Sequence, residues 1–225
     1  MTSCSNEEKP KVIHRESKND PTTELKKDST LKEIADLPIH IDSTAYLIHP
    51  IGEFKIYGSR GSSYLRSSDY GSGSFSITHF NSYEITGNLH NLKFQHLDSE
   101  NLKALTTRNI RIKSITFLRD LFNNTKKQIL IYRVVDHDTN RDQKLDDNDV
   151  ESLYISDIDG SEFEKLTPDF QELIDWKSLA IKNRIYFRSI EDTNKNGTFD
   201  KNDQLHYYYM DFNVSERLVT EYKPL

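Results

Sequence analysis

The chain of 225 residues has little of several residue types, and each scarcity excludes a class of protein. It contains a single cysteine, Cys4, which excludes a disulfide framework and a zinc site built from several cysteines. No apolar run approaches the roughly 20 residues that a transmembrane helix needs. The net charge is -6 and the sequence has no basic stripe, which argues against a nucleic-acid partner.

Aromatic residues, in contrast, are plentiful, with 12 Tyr and 11 Phe. From residue 45 onward they lie in short stretches with β-branched residues, separated by Gly, Asn, Asp and Ser. This pattern predicts an all-β fold of short antiparallel strands. The predicted strands are 45–50, 53–58, 73–80, 82–86, 91–97, 111–118, 128–135, 152–158, 184–190 and 204–212.

Two twelve-residue segments, 138–149 and 192–203, repeat one pattern at an offset of 192 − 138 = 54 positions. Each has an oxygen-bearing side chain at positions 1, 3, 5, 9 and 12, and position 7 can offer its backbone carbonyl. Alternating oxygens at this spacing can wrap a hard cation such as calcium. The residues at positions 1, 3, 5, 7, 9 and 12 are Asp138, Asn140, Asp142, Lys144, Asp146 and Asp149 in the first segment, and Asp192, Asn194, Asn196, Thr198, Asp200 and Asp203 in the second.

The two segments resemble EF-hand calcium loops, and more specifically the dockerin variant, which also closes with Asp instead of Glu. Gly197 supplies the tight turn at position 6 of the second loop, whereas the first loop has Gln143 there. The resemblance implies two calcium ions, which we expect to be structural. The alternative interpretation is a pair of acidic surface turns that bind no ion.

The duplication extends beyond the loops. At the same offset Ile131-Tyr132 matches Ile185-Tyr186, and Tyr154 matches Tyr208, while a degenerate third copy lies upstream at an offset of 61. Together with the segments LYISDIDGSEFEKLTP and LIDW, this period resembles TolB-type β-propeller repeats. The resemblance implies about three propeller-like blades, at roughly 45–107, 113–167 and 172–220. Three repeats are too few to close a familiar propeller, so we expect an open stack or a ring completed by assembly.

The start of the chain, Met1-Thr2-Ser3-Cys4, resembles the end of a bacterial lipobox, without the charged and apolar parts of a signal peptide. The resemblance implies that Cys4 is acylated and anchors an outer-membrane lipoprotein, periplasmic or surface-exposed. Glu7-Glu8 resembles the export tags of Bacteroidetes surface lipoproteins. Residues 1–38 are then the lipobox-like start and a disordered polar tether, with a transient helix near Leu31–Leu37, before a single domain at 39–225.

No residue pattern in the chain indicates catalysis. The eight histidines fall in no metal-binding spacing, and no G-x-S-x-G motif occurs. We therefore expect a binding or structural role at the cell envelope, with a protein or glycan ligand and no nucleic acid. The alternatives are an envelope hydrolase that acts on glycans, with its site in the Ser/Gly-rich segment 58–73, and a dockerin-like docking module. A flat aromatic patch, to which Trp176 or residues 207–209 could contribute, would favour a binding protein.

Overall fold

The computed structural model describes residues 10–14, 25–26, 31–55 and 76–225. These parts of the chain form antiparallel β-sheets with one α-helix and one 3-10 turn. The all-β prediction is therefore confirmed. The elements are β1 Leu31–Ala35, β2 Ile39–His40, β3 Tyr46–Lys55, β4 Thr78–Asn81, β5 Glu84–His96, β6 Leu102–Ala104, β7 Arg111–Phe117, α1 Arg119–Thr125, β8 Ile129–Val135, β9 Glu151–Asp157, β10 Glu164–Lys165, β11 Gln171–Leu179, the 3-10 turn Ala180–Lys182, β12 Arg184–Glu191, β13 Gln204–Asp211 and β14 Val219–Glu221.

The strands belong to two sheets. The larger has ten strands in the order β1-β3-β5-β7-β8-β9-β10, with β2, β4 and β6 paired to its sides. The smaller has four strands in the order β11-β12-β13-β14. Strands β7 to β10 and strands β11 to β14 are thus two consecutive four-stranded meanders, and each carries one of the acidic loops between its second and third strands. The two meanders correspond to the second and third sequence repeats.

The hairpin of β8 and β9 is buried on both faces, which explains its nearly continuous apolar sequence. Leu130, Tyr132 and Tyr154 point into a core that they share with β3, β5 and β7. Ile131 and Ile155, one residue further along each strand, point into a second core that they share with the smaller sheet. The larger sheet therefore packs against two cores, and the β8–β9 hairpin is the layer between them.

The structure differs from the predicted strands in several places. Predicted strands 45–50 and 53–58 fall together on β3 as far as residue 55, predicted strands 82–86 and 91–97 fall together on β5, and the short strands β2, β6, β10 and β14 were not predicted.

Three further differences have a clear physical reason. Residues 31–35, predicted as a transient helix in a disordered tether, form β1 and pair with β3 from Leu31↔Lys55 to Ala35↔Ile51. Strand β11 was not predicted because its pairing with β12 is interrupted between Leu173 and Asp175, and this bulge breaks the alternation of inward and outward residues. Helix α1 has only seven residues, too few for a clear helical period.

None of the helices in the described part of the chain is long and apolar enough to cross a membrane.

Gly160, in the turn between β9 and β10, brings this end of the larger sheet against β5. Its φ is +74°, and a Cβ on this residue would lie 2.4 Å from Cε2 of Phe94 on β5. We expect Gly160→Ala to destabilise the protein by about 2–4 kcal/mol, because it combines a left-handed backbone with a ring clash. In a Phe94→Ala background the same change should cost only about 1 kcal/mol, the backbone part. Urea unfolding of the four proteins measures the difference, and equal costs in both backgrounds would contradict the contact.

Candidate metal centre

The first acidic loop connects β8 to β9 and is held by its own carboxylates. Asp138 accepts hydrogen bonds from the backbone N–H of Asp142 at 3.0 Å and of Gln143 at 2.8 Å. The backbone turns through positive φ at Arg141 and Gln143, 60° and 70°. Gln143 thus adopts the left-handed turn expected at position 6, where glycine would be less strained.

The second loop, between β12 and β13, has the same conformation. Asp192 accepts from the N–H of Asn196 at 3.1 Å and of Gly197 at 2.7 Å. Positive φ again falls at positions 4 and 6, here Lys195 at 57° and Gly197 at 84°. Residues 54 positions apart in the two loops therefore match in backbone conformation as well as in sequence.

The remaining hydrogen bonds also repeat, position by position. The side chain at position 3 accepts from the N–H of position 5, position 5 accepts from position 7, and position 9 accepts from position 11. These bonds are Asp142 N to Asn140, Lys144 N to Asp142 and Asn148 N to Asp146 in the first loop, and Asn196 N to Asn194, Thr198 N to Asn196 and Asn202 N to Asp200 in the second, at 2.7–3.0 Å.

The carboxylate at position 12 closes each loop, because it accepts N–H groups from both the start and the end of the loop. In the first loop Asp149 accepts the N–H of Thr139 and Asn140 on one oxygen, at 2.8 and 3.2 Å, and that of Asp146 on the other, at 3.0 Å. Asp203 repeats this with Thr193 and Asp200. Burial raises the pKa of Asp149. A buried carboxylate at this position would therefore gain from an adjacent cation.

The donor chemistry of both loops fits a hard cation. Each offers carboxylate and Asn amide oxygens at positions 1, 3, 5 and 9 plus a backbone carbonyl at position 7, and calcium prefers six to eight such oxygens. Most of these side-chain oxygens keep a lone pair beyond those that their hydrogen bonds within the protein use. The exceptions are Asn196 Oδ1, which accepts both the N–H and the hydroxyl of Thr198, and Asp192 Oδ2, which accepts the N–H of Gly197 and lies 2.8 Å from His14 Nε2. Among the described residues, no group of three or more His, Cys, Asp or Glu side chains is arranged to hold a metal ion. Any ion would thus depend on the amide and carbonyl oxygens as well as on the carboxylates.

A short N-terminal segment, residues 10–14, lies between the two loops; we refer to it as the strap. The N–H groups of Lys11 and Val12 both donate to the carbonyl of Gly197, at 2.7 and 3.1 Å. The N–H of Ile13 donates to the carbonyl of Thr139 at 2.9 Å, and the Thr139 hydroxyl donates to the carbonyl of Lys11 at 2.8 Å. The strap therefore links the second loop to the first through main-chain hydrogen bonds.

Side chains of the strap strengthen the link. Val12 is buried, with 1% of its surface exposed. His14 Nε2 lies 2.8 Å from Oδ2 of Asp192, whose side chain is fully buried. Lys11 pairs with Glu172 on β11, and that carboxylate also accepts the N–H of Glu151 at 2.8 Å. A Cβ on Gly197 would lie 2.6 Å from Pro10, so glycine is needed there for the strap as well as for the turn.

The strap corrects the prediction of a disordered tether. Residues 10–14 and 31–38, both assigned to the tether from composition, have defined positions in the fold. Composition failed here because one buried valine and main-chain bonds hold the strap. Of residues 15–30 the structure describes only 25–26, where the N–H of Lys26 donates to the carbonyl of Gln143 at 2.9 Å. Cys4, Glu7-Glu8 and the whole Ser/Gly-rich segment 58–73 lie outside the described residues.

A buried ion-pair cluster supports the base of the first loop. Asp136 Oδ2 accepts from the Tyr154 hydroxyl at 2.7 Å and lies 3.0 Å from Lys165 Nζ and 3.2 Å from His137 Nδ1. Burial alone would raise the pKa of Asp136, but these partners outweigh it and hold the pKa well below its usual range. The hydrogen bond to Asp136 raises the pKa of His137. A cleft of about 680 Å³ beside the cluster is lined by Arg108, Tyr154 and Phe163, among others.

The aromatic residues that the sequence singled out are divided between core and surface. Tyr208 is buried in the second core and Trp176 packs against it. Tyr207 and Tyr209 point to the opposite side of the sheet, where they are half-buried. Tyr186 and Tyr222, which the sequence analysis did not select, join them there, with ring centres of neighbouring tyrosines 5.8–6.1 Å apart. Strand register would have found Tyr186, since it pairs with Tyr209.

Comparison with known proteins adds no assignment to this geometry: no protein-family model matches the chain, and no curated protein matches it significantly.

The strap can be tested by placing a charge in its buried position. We expect Val12→Asp to lower the free energy of unfolding by about 3 kcal/mol or more, because it buries an unpaired carboxylate beside the acidic loops. Leu37→Asp is the matched control, since Leu37 is 81% exposed and should change the stability by no more than about 0.5 kcal/mol. Urea unfolding in chelator gives both values. Equal stability of the two variants would show that the strap does not contribute to the fold.

Proposed function

We propose that the chain is a calcium-binding lipoprotein of the bacterial cell envelope with a binding role. The main support for calcium binding is that one loop conformation is repeated, hydrogen bond by hydrogen bond, at two sites in the chain. Both loops keep an oxygen-bearing side chain at positions 1, 3, 5, 9 and 12, whereas positions 6, 7, 8 and 10 hold different residue types in the two loops. Selection for oxygens at fixed places accounts for this pattern better than selection for an ordinary hairpin turn.

Calcium would stabilise the fold by offsetting the repulsion among the loop carboxylates. Loop 1 contributes Asp138, Asp142, Asp146 and Asp149, and the loop lies on the β8–β9 hairpin between the two cores. A cation that binds only the folded loop adds RT ln(1 + [L]/Kd), about 2.7 kcal/mol per site at 100 times Kd. Extracellular modules of this kind bind calcium with Kd of about 10⁻⁴ to 10⁻³ M, so millimolar calcium is the relevant range.

Calorimetry in chelator and in 10 mM calcium tests this proposal. With two sites the melting temperature should rise by about 5–10 °C per site. Asp138→Asn and Asp192→Asn should each remove about half of the rise and the double variant nearly all of it, because an amide keeps an acceptor for the turn but loses the charge. Glu216→Ala, an exposed carboxylate outside the loops, is the control and should retain the full rise. A wild-type melting temperature unaffected by calcium would leave the loops as acidic turns.

For the repeats we propose an open, propeller-like arrangement of three units. The two four-stranded meanders, β7–β10 and β11–β14, support the second and third units. The first unit, built on β3, β5 and β6, continues the sheet of the second unit edge to edge, because the N-terminal half of β5 pairs with β7. The stack is thus held by shared cores and by a shared sheet.

The strap limits how far the domain can lie from the proposed lipid anchor, and which end of the domain faces the membrane. Pro10, which lies against Gly197 of the second loop, is only 10 − 4 = 6 positions after Cys4. An extended chain spans at most about 3.6 Å per residue, so an acylated Cys4 would lie within about 22 Å of Pro10. We therefore propose that the loop end of the domain faces the membrane, at short range.

Two thiol positions test the anchor and its orientation together in nitroxide-labelled vesicles. Lys201→Cys lies in the second loop, whereas Asn123→Cys lies on α1, at the other end of β8 and about 20 Å further along the strand. A maleimide fluorophore on Lys201→Cys should be quenched strongly and one on Asn123→Cys weakly. Equal quenching would contradict the orientation.

The protein without an added thiol is the control for the anchor itself. Acylation blocks the Cys4 thiol, so this control should take up no maleimide and should partition into detergent, whereas Cys4→Ser should remain in the aqueous phase. A labelled Cys4, or a Cys4→Ser protein that remains membrane-bound, would overturn the lipoprotein proposal whatever the quenching result.

A further inference from the structure

The outer face of the smaller sheet carries a cluster of tyrosines that no element of the described chain covers. We refer to Tyr186, Tyr207, Tyr209 and Tyr222, with the charged residues around them, as the tyrosine face. Tyr186 lies opposite Tyr209 in the β12–β13 register, and the N–H of Tyr222 donates to the carbonyl of Tyr207 at 2.9 Å. The alternate residues of the same strands, such as Ile185 and Met210, fill the second core. The four rings therefore all lie on the solvent side.

The tyrosine face is a preformed surface. Tyr222 contacts the other three rings, mostly edge to face, with centres 5.8–6.1 Å apart. The guanidinium of Arg184 lies 4.5 Å from the centre of the Tyr209 ring. Rings that hold each other in this way lose little conformational entropy when a ligand binds, and each offers an apolar ring and a hydroxyl. Such side chains are typical of binding surfaces.

The charges on the tyrosine face are already paired with one another. Arg184 donates to Asp211 from two nitrogens, at 2.7 and 2.6 Å, and Arg188 forms a two-bond pair with Asp175 across β11 and β12. A charged ligand would have to compete with these pairs or leave its own charge uncompensated. Hydroxyl groups, which both donate and accept, can bond to the free edges of the pairs without breaking them. Lys177, opposite Tyr186 in the register, adds a further positive charge.

The size of the face argues against a second copy of the chain as its occupant. Four strands about 4.8 Å apart and eight residues about 3.3 Å each give a sheet face of about 14 by 26 Å, or roughly 400 Å². A stable protein interface takes about 800 Å² from each partner. A narrow ligand that lies along the rings fits this area better than a folded protein does.

We propose that the tyrosine face binds a neutral polysaccharide, whose sugar rings pack on the tyrosines while hydroxyls bond to the Arg–Asp pairs. This inference deepens the proposed binding role and rests on it. The ligand is identified by its chemistry: apolar ring faces, many hydroxyls and no charge. An anionic glycan and a protein partner, including a second copy, are alternative outcomes of the test.

Affinity electrophoresis of the full chain carrying Cys4→Ser tests the proposal. Native gels contain soluble starch, mixed-linkage β-glucan, xylan or mannan as neutral probes and alginate as the anionic probe. We expect at least one neutral polysaccharide to retard the protein. Tyr186→Ala and Tyr209→Ala should raise its dissociation constant at least tenfold, whereas Tyr209→Phe should retain most of the affinity. Phe80→Ala, an exposed aromatic on β4, is the matched control and should bind like the wild type.

Three results would overturn the inference for a protein that is folded by circular dichroism. They are retardation in none of the neutral gels, retardation that the tyrosine variants leave unchanged, and retardation by alginate alone. A dimer in sedimentation that Tyr186→Ala dissociates would assign the face to self-association instead. Calcium-dependent melting and detergent partitioning are measured on the same proteins, so a failure here is separable from a failure of the calcium-lipoprotein proposal.

Discussion

The burial of the β8–β9 hairpin on both faces is the constraint on which the rest of the structure depends. Leu130 and Tyr132 pack in the first core, whereas Ile131 and Ile155 pack in the second core with the smaller sheet. A shift of either sheet would therefore break contacts that the hairpin makes. The first acidic loop is the connection within this hairpin. Because both ends of the loop are held in the most buried strands, its carboxylates remain close together despite their repulsion, and the fold supplies the energy that this requires.

Hydrogen bonds inside the loops show how the protein tolerates so many carboxylates in one place. Asp192 and Asp149 are almost fully buried, and each accepts two or more N–H groups of its own loop. His14 from the strap adds a further partner to Asp192. Hydrogen bonds to neutral N–H groups compensate a buried negative charge only in part. The remaining electrostatic cost is the physical reason why a divalent cation would stabilise the folded chain, and why the strap, which brings Lys11 and His14 to the loops, is part of the same structure.

Local patterns were readable from the sequence, whereas contacts between distant segments were not. The alternation and the aromatic content predict the strands, and the offset of 54 predicts that the two meanders share a loop conformation, because these signals lie within a few residues of one another. The bulge in β11 hid a strand, since one extra residue reverses the inward and outward positions. The strap was mistaken for a disordered segment because Val12 is its only fully buried side chain, and main-chain bonds to Gly197 and Thr139 leave no trace in composition. Only part of the tyrosine face could be predicted from the sequence. The run at 207–209 suggested it, but the β12–β13 register was needed to add Tyr186.

The strap also changes what the N-terminal region can do mechanically. A tether of more than 30 disordered residues would let the domain sample positions far from its anchor, and a force on the anchor would not reach the fold. With the strap bound to both loops, a pull on Cys4 acts on the hydrogen bonds of Lys11 and Val12 to Gly197 and then on the second loop. Calcium in the proposed sites would stabilise the same few residues on which a pull through the proposed anchor acts. A cation in the proposed site would stiffen the loop and hold the strap more firmly, and the strap would in turn keep Gly197 in the turn that such a cation needs, so the two would reinforce each other.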